Sequence, residues 1–252
     1  MLLLRSLLAA VRFLTLLPVP GREITEREIG RSAVLFPVVG VLIGGILLGL
    51  YRFFGTVFPV PVARLLVLVS LVAVSGALHL DGLADTVDGL YGGRDREQAL
   101  RIMRDPHIGA MGAVAIVAIL LLKAAAVVSL PETVFGMGIL VMPVAGRGAM
   151  VAALMLPYAR DEGLGRVFAR HRLRTDPVVA AVLVFGAAIY ALGTAGLWAV
   201  LGSLAAGGGV AGFAWLRIRG VTGDVCGAVN EAAECAFLLV LLAASPGLLP
   251  SP

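Results

Sequence analysis

The run VARLLVLVSLVAVSGALHL, residues 62–80, passes directly into DGLADTVDGLYGG, residues 81–93. Its first part has the length and apolar character of a bilayer-crossing helix, which takes about 20 residues. Its second part places Asp81, Asp85 and Asp88 among Gly82, Gly89, Gly92 and Gly93. Ionisable groups near membrane depth are costly and are retained where they do something. The stretch therefore reads as a span whose end is a polar rim.

The rest of the chain agrees. Of its 252 residues, 60% are hydrophobic and 14% are charged, against about 25% charged in soluble domains. Too few charges remain to cover a water-facing surface. The spacing of apolar runs predicts spans at 33–54, 62–80, 108–129, 134–156, 178–195, 197–215 and 235–249. The expected fold is all-α: one integral-membrane domain over 1–252, a polytopic bundle of about seven spans. The N-terminal segment MLLLRSLLAAVRFL has Arg12 inside its apolar run and no clean cleavage site after it. It is expected to be an interfacial helix with Arg5 and Arg12 at the lipid headgroups, not a cleaved leader.

The net charge of +4 is carried by arginine, with Lys123 the only lysine. With the N-terminus inside, the segments 1–32, 81–107, 157–177 and 216–234 hold every cation except Arg52, Arg64, Lys123 and Arg147. That asymmetry is the positive-inside pattern, so it argues for topology and against nucleic-acid binding. The expected location is the bacterial cytoplasmic (inner) membrane, with the polar rim facing the cytoplasm and lipid around the bundle. Cys226 and Cys235 lack the spacing of a zinc or disulfide framework and read as packing residues.

Asp81, Asp85 and Asp88 stand at i, i+4 and i+7, one face of a helix. Like charges so placed repel, and a hard divalent cation such as Mg²⁺ would relieve the repulsion while substrate phosphates complete its shell. The bland alternative is a solvated helix end, which suits one such acid better than three. His79 reads equally as a base, a phosphate-orienting group or an interfacial polar residue. Two further polar islands fall on the same side: LRIMRDPHIGAMG, with Arg101, Arg104, Asp105 and His107, and IRGVTGDVCGAVNEAAE, with Thr222, Asp224, Asn230, Glu231 and Glu234. Arginine beside carboxylate fits a site where cations hold phosphates and acids hold metal. For Arg166, Arg170, Arg172 and Arg174, topology alone is the simpler reading. Arg147 lies within a span and is expected to reach toward the polar site. These features point to a metal-dependent transferase or hydrolase of a diphosphate at the inner membrane face.

The motifs FLTLLPVP (13–20), FPVVGVLIG (36–44), ALHLDGLADTVDGLYGG (77–93), REQALRIMRDPHIGAMG (96–112), PYAR with GLG (157–165) and GVTGDVCGAVNEAAE (220–234) resemble, in order and nearly end to end, the adenosylcobinamide-GDP ribazoletransferase family, the cobalamin synthases of vitamin B12 biosynthesis. The resemblance implies a Mg²⁺-dependent reaction of adenosylcobinamide-GDP with α-ribazole or α-ribazole 5′-phosphate, giving adenosylcobalamin or its 5′-phosphate and GMP. It implies Asp81, Asp85 and Asp88 as metal ligands. Asp105, Asp224 and Glu231, with His79, are candidate catalytic acids or bases. Arg104, Arg147, Arg160, Thr222 and His107 are candidate substrate-binding residues, although DPHIG (105–109) departs from the DSRIG form of many members. A homodimer is one expected assembly. The aspartate block also echoes the DGxxAR opening of CDP-alcohol phosphotransferases, matched here at Asp81, Gly82 and Ala84, with Asp85 in place of the arginine. A secondary transporter, the remaining rival, would keep its acids near the bilayer midplane.

Overall fold

A computed structural model describes residues 2–19 and 23–245. Arg22 and the end of the expected last span, 246–249, lie outside the described residues. The described chain is helical, with no strand beyond one isolated parallel bridge between Tyr158 and Val221.

The N-terminal helix α1 (Leu2–Leu14) buries Ser6, Ala9, Ala10, Val11 and Leu14 and exposes Leu2, Leu3 and Leu4. Its arginines are tied to the protein: Arg5 pairs with Glu28 at 2.9 Å, and Arg12 donates to the Val19 carbonyl at 2.7 Å. Glu28 belongs to the short α2 (Glu26–Gly30), whose start is a reciprocal Thr25–Glu28 capping box. A single 3₁₀ turn leads into α3 (Phe36–Phe54).

The run 62–93 is a span bent in two. Helix α4 (Val60–Val74) is 15 residues, about 22 Å, which is short of the ~30 Å hydrocarbon core. Gly76 and Ala77 then take φ of 60° and 56°, and α5 (Leu78–Gly92) leaves at 79° to α4. The turn swings the aspartates sideways across the end of the bundle. After α5 come α6 (Arg96–Ile102), the apolar α7 (Ala110–Ser129) and α8 (Glu132–Ala153). Helix α8 is central: every residue from Val141 to Val151 is buried. The short α9 (Leu164–His171) precedes α10 (Asp176–Ile218) and α11 (Gly223–Ala244).

Helix α10 is two spans. Gly193 breaks it with φ 59° and ψ −137°. A Cβ on Gly196 would lie 2.3 Å from the Ala188 carbonyl oxygen, eight residues earlier; along an unbroken helix that separation is about 12 Å. The two arms therefore fold back on each other, as the expected spans 178–195 and 197–215 require. Five helices are long and apolar enough to cross a membrane, the bent α4–α5 pair makes a sixth unit, and the Gly193 break divides α10. The described bundle thus has the expected all-α polytopic form.

One boundary is corrected. The last span was expected at 235–249, but α11 already begins at Gly223. Glu231 and Glu234 consequently sit about 12 and 16 Å along a membrane-crossing helix. They are not in a cytoplasmic segment. The reason is local: Thr222 caps α11 by accepting the Val225 N–H at 3.2 Å, which starts the helix twelve residues before the strongly apolar run begins.

Candidate active site

The site forms where α5 crosses α11. A Cβ on Gly82 would lie 2.7 Å from the Asp224 carbonyl oxygen, and one on Gly227 would lie 3.1 Å from the His79 carbonyl oxygen. Only glycine lets these two backbones touch. Their contact lays Asp81 and Asp85 of α5 beside Asp224 in the first turn of α11. The charges that act on Asp85 are those of Asp224, Asp81, Arg160 and Asp88.

A loop delivers Arg160 to the same place. The Ala159 N–H donates to the Val221 carbonyl and the Val221 N–H donates to the Pro157 carbonyl, both at 2.9 Å. This bridge sets the PYAR segment beside the start of α11. Arg160 Nη2 then donates to Asp224 Oδ2 at 2.6 Å, and the Thr222 hydroxyl donates to the same oxygen at 3.2 Å. Asp224 Oδ1 has no hydrogen bond among the described residues. Tyr158 packs its ring on Gly165, and burial pushes its phenol above the ordinary value, so it remains an O–H donor.

Around this crossing lies a cavity of about 470 Å³. Asp81, Asp224, Arg104, Arg160, Tyr158 and His79 give it polar wall, while Phe13, Phe36 and Phe168 give it apolar wall. The three phenylalanines form one cluster, with ring centroids 5.4–5.9 Å apart, in which α1, α3 and α9 meet. The volume suits a nucleotide-sized ligand with both apolar and charged parts.

The three expected metal ligands are not equivalent. Asp88 is committed to α7: its carboxylate accepts the Gly109 N–H at 2.7 Å and the Gly112 N–H at 2.8 Å, at the start of that helix. Asp81 and Asp85 accept no hydrogen bond among the described residues. Among those residues no three His, Cys, Asp or Glu side chains converge as a ready-made metal cage. A hard divalent cation therefore fits only a partial protein set, the carboxylates of Asp81 and Asp85. Mg²⁺ is usually held this way, by one or two carboxylates with substrate phosphates and water completing the shell.

Several sequence-predicted residues lie elsewhere. Asp105 and His107 sit on the loop before α7 and bind each other: Asp105 Oδ1 accepts the His107 N–H at 3.0 Å and lies 2.7 Å from its Nδ1. That turn holds the Asp105 carboxyl below the usual carboxylate range, and neither side chain lines the cavity. Glu231 and Arg147 belong to a buried ion network, contrary to the expectation that they join the rim. Lys123 Nζ donates to Glu231 Oε2 and to Glu234 Oε2, both at 2.7 Å, and Arg147 Nη1 donates to Glu234 Oε1. Arg147 is 0% and Lys123 1% exposed, so α7, α8 and α11 neutralise one another's intramembrane charges. His79 is buried between this network and the cavity, with Nε2 unpartnered.

Lys123 and Tyr158 are not among the residues expected from sequence to build the site. Lys123, alone in an apolar helix, was the available signal for a buried partner. For Tyr158 the signal was the PYAR motif, from which only Arg160 was taken as a site residue. Several rim arginines do structural work at helix ends: Arg96 donates to the Ile218 and Ala159 carbonyls, Arg217 to those of Leu90 and Gly93, and Arg172 to those of Leu154 and Leu156. At the other end of the bundle Arg64 donates to the Val127, Val128 and Leu130 carbonyls and pairs with Glu132 at 2.7 Å.

Comparison with known proteins gives a consistent picture. A family model described as cobalamin-5-phosphate synthase matches residues 6–242. The adenosylcobinamide-GDP ribazoletransferase of Pseudomonas aeruginosa is 43% identical, over 94% of this chain and 98% of its own length. Its counterpart in Pseudomonas fluorescens is 42% identical, over 91% and 96%. That of Acetivibrio thermocellus is 36% identical, over 94% and 97%. No solved structure matches the chain.

Proposed function

Because the chain belongs to the cobalamin-5-phosphate synthase family, an enzyme family of the transferase step in cobalamin biosynthesis, we propose that it joins adenosylcobinamide-GDP to α-ribazole 5′-phosphate or α-ribazole, with release of GMP. The observation that carries this reading is the glycine-to-glycine crossing of α5 and α11, which brings Asp81, Asp224 and Arg160 onto the wall of one cavity, with Asp85 one helical turn along α5 from Asp81.

In this reading the acceptor's ribose hydroxyl attacks the phosphorus nearer the corrinoid. A new P–O bond forms there, the P–O bond to the GMP moiety breaks, and GMP leaves with the electron pair. Asp224 Oδ1 takes the hydroxyl proton, while Arg160 and Thr222 fix the carboxylate through Oδ2. Arg104 and the outer face of Arg160 meet phosphate oxygens. Asp81 and Asp85 would hold Mg²⁺, and Asp88 sets their helix against α7. Bound there, Mg²⁺ would neutralise charge on the diphosphate and on departing GMP. The cavity takes the nucleotide part of the donor and leaves the bulkier corrinoid outside it. We further place the aspartate end toward the cytoplasm in the bacterial inner membrane, on the arginine asymmetry of the segments.

The test is GMP release by purified protein in detergent from adenosylcobinamide-GDP and α-ribazole 5′-phosphate. Turnover is expected with Mg²⁺, and its loss is expected in EDTA and in Asp85→Asn. No turnover by well-folded wild-type protein would overturn the reaction, and full turnover in EDTA would overturn the metal assignment.

A further inference from the structure

A second cavity of about 200 Å³ opens beside the first and shares two of its walls, Arg104 and Arg160. Arg96 and Arg101 also line it, against the acids Glu97 and Asp161. The wall therefore carries four cations and two anions. Arg96 is spent on two backbone carbonyls. Arg101 and Arg104 are different: neither makes a hydrogen bond or ion pair among the described residues through its side chain. The Nε of Arg160 is also buried and unpartnered. Arginines that cap helices in this protein point at carbonyl oxygens, whereas these two point at none. An unpaired guanidinium pair at a cavity mouth is the geometry that takes a phosphate dianion, through several charge-assisted hydrogen bonds at once.

We infer that this second cavity is a phosphomonoester subsite, formed by Arg101 and Arg104, for the 5′-phosphate of the acceptor nucleotide. The inference rests on the proposed transferase reaction and deepens it. The diphosphate of the donor belongs on the aspartate side, where Asp81 and Asp85 stand. A phosphate without metal beside it belongs on the side where arginines outnumber acids, four to two. Arg104, on the wall of both cavities, lies between the two. The acceptor's sugar would then bridge the shared opening, its hydroxyl toward Asp224 and its phosphate toward Arg101. This makes Arg101 a specificity determinant for a phosphorylated over an unphosphorylated acceptor.

The experiment compares α-ribazole 5′-phosphate with α-ribazole as acceptors, at saturating adenosylcobinamide-GDP, for wild type, Arg101→Ala and Arg101→Lys. Arg101 is exposed, so its removal leaves folding intact. The expected result is a drop of about tenfold or more in the kcat/KM ratio of phosphorylated over unphosphorylated acceptor in Arg101→Ala, the size of one charge-assisted hydrogen bond, with partial recovery in Arg101→Lys. An unchanged ratio, with both acceptors still used, would overturn the subsite. A rise in the KM for adenosylcobinamide-GDP in place of the ratio change would also overturn it, because the cavity would then hold the donor. If wild type used neither acceptor, the transferase reading itself would fall, an outcome distinct from both.

Discussion

Asp85 and Asp88 lie one helical turn apart and do opposite things. Asp88 accepts two backbone N–H groups at the start of α7, so its removal leaves orphaned donors. Asp85 accepts none and faces Asp81 and Asp224, so its removal relieves repulsion. Asp88→Ala is therefore expected to lower stability by about 0.5–2 kcal/mol, the usual value of a helix cap, and to lower activity with it. Asp85→Ala is expected to abolish activity without loss of thermal stability. Unfolding temperatures of the two variants in one detergent separate these roles; equal destabilisation would show that Asp85 is structural too. Arg160→Ala frees Asp224 from its 2.6 Å partner. It is expected to cost on the order of 10²-fold in kcat, comparable to loss of one preorganised electrostatic contact, as read in steady-state GMP release.

At the scale of elements, two contacts matter most. The α5–α11 crossing tolerates no side chain at Gly82, because a Cβ would press on the Asp224 backbone at 2.7 Å. Gly82→Ala is expected to displace Asp224 and to lower kcat by about 10²-fold, the cost of a misplacement near 1 Å. Gly209→Ala, on α10 with open space around it, is the matched control and is expected to leave turnover unchanged. The second contact is the ion network that ties α7 and α8 to α11. Lys123→Met leaves Glu231 and Glu234 buried with only Arg147 against them, and is expected to cost about 3–5 kcal/mol. Denaturation of the variant in detergent checks this. A stable Lys123→Met protein would mean that the carboxylates are protonated or hydrated within the bundle.

For the whole molecule, the arrangement of polar ends makes a topology claim. The Arg64–Glu132 pair closes one end of the bundle, and the aspartates, Arg160 and the capping arginines gather at the other. Both native cysteines are buried, so an introduced thiol can be read against a low background. A cysteine in place of Glu97 is expected to react with a membrane-impermeant maleimide only from the cytoplasmic side. One in place of Pro131 is expected to react only from outside. Labelling of both from one side would refute the bundle's through-membrane orientation.

The sequence by itself determined the class of fold and the aspartate stripe of the rim. Long apolar runs can satisfy their backbone groups in lipid only as helices, and three aspartates on one helical face are legible from spacing alone. It also located both spans of α10, because each arm is apolar for its full length. Only the tertiary structure decided which acids act together. Asp224 joins Asp81 and Asp85 because Gly82 and Gly227, 145 residues apart in sequence, meet where two helices cross. Glu231, only seven residues beyond Asp224, is carried two turns deeper and pairs with Lys123. Local spacing tells which residues share a face, but not how far that face runs into the bundle or what lies opposite. Those depend on packing between helices far apart in the chain, and they separated the acids of the site from the acids of the core.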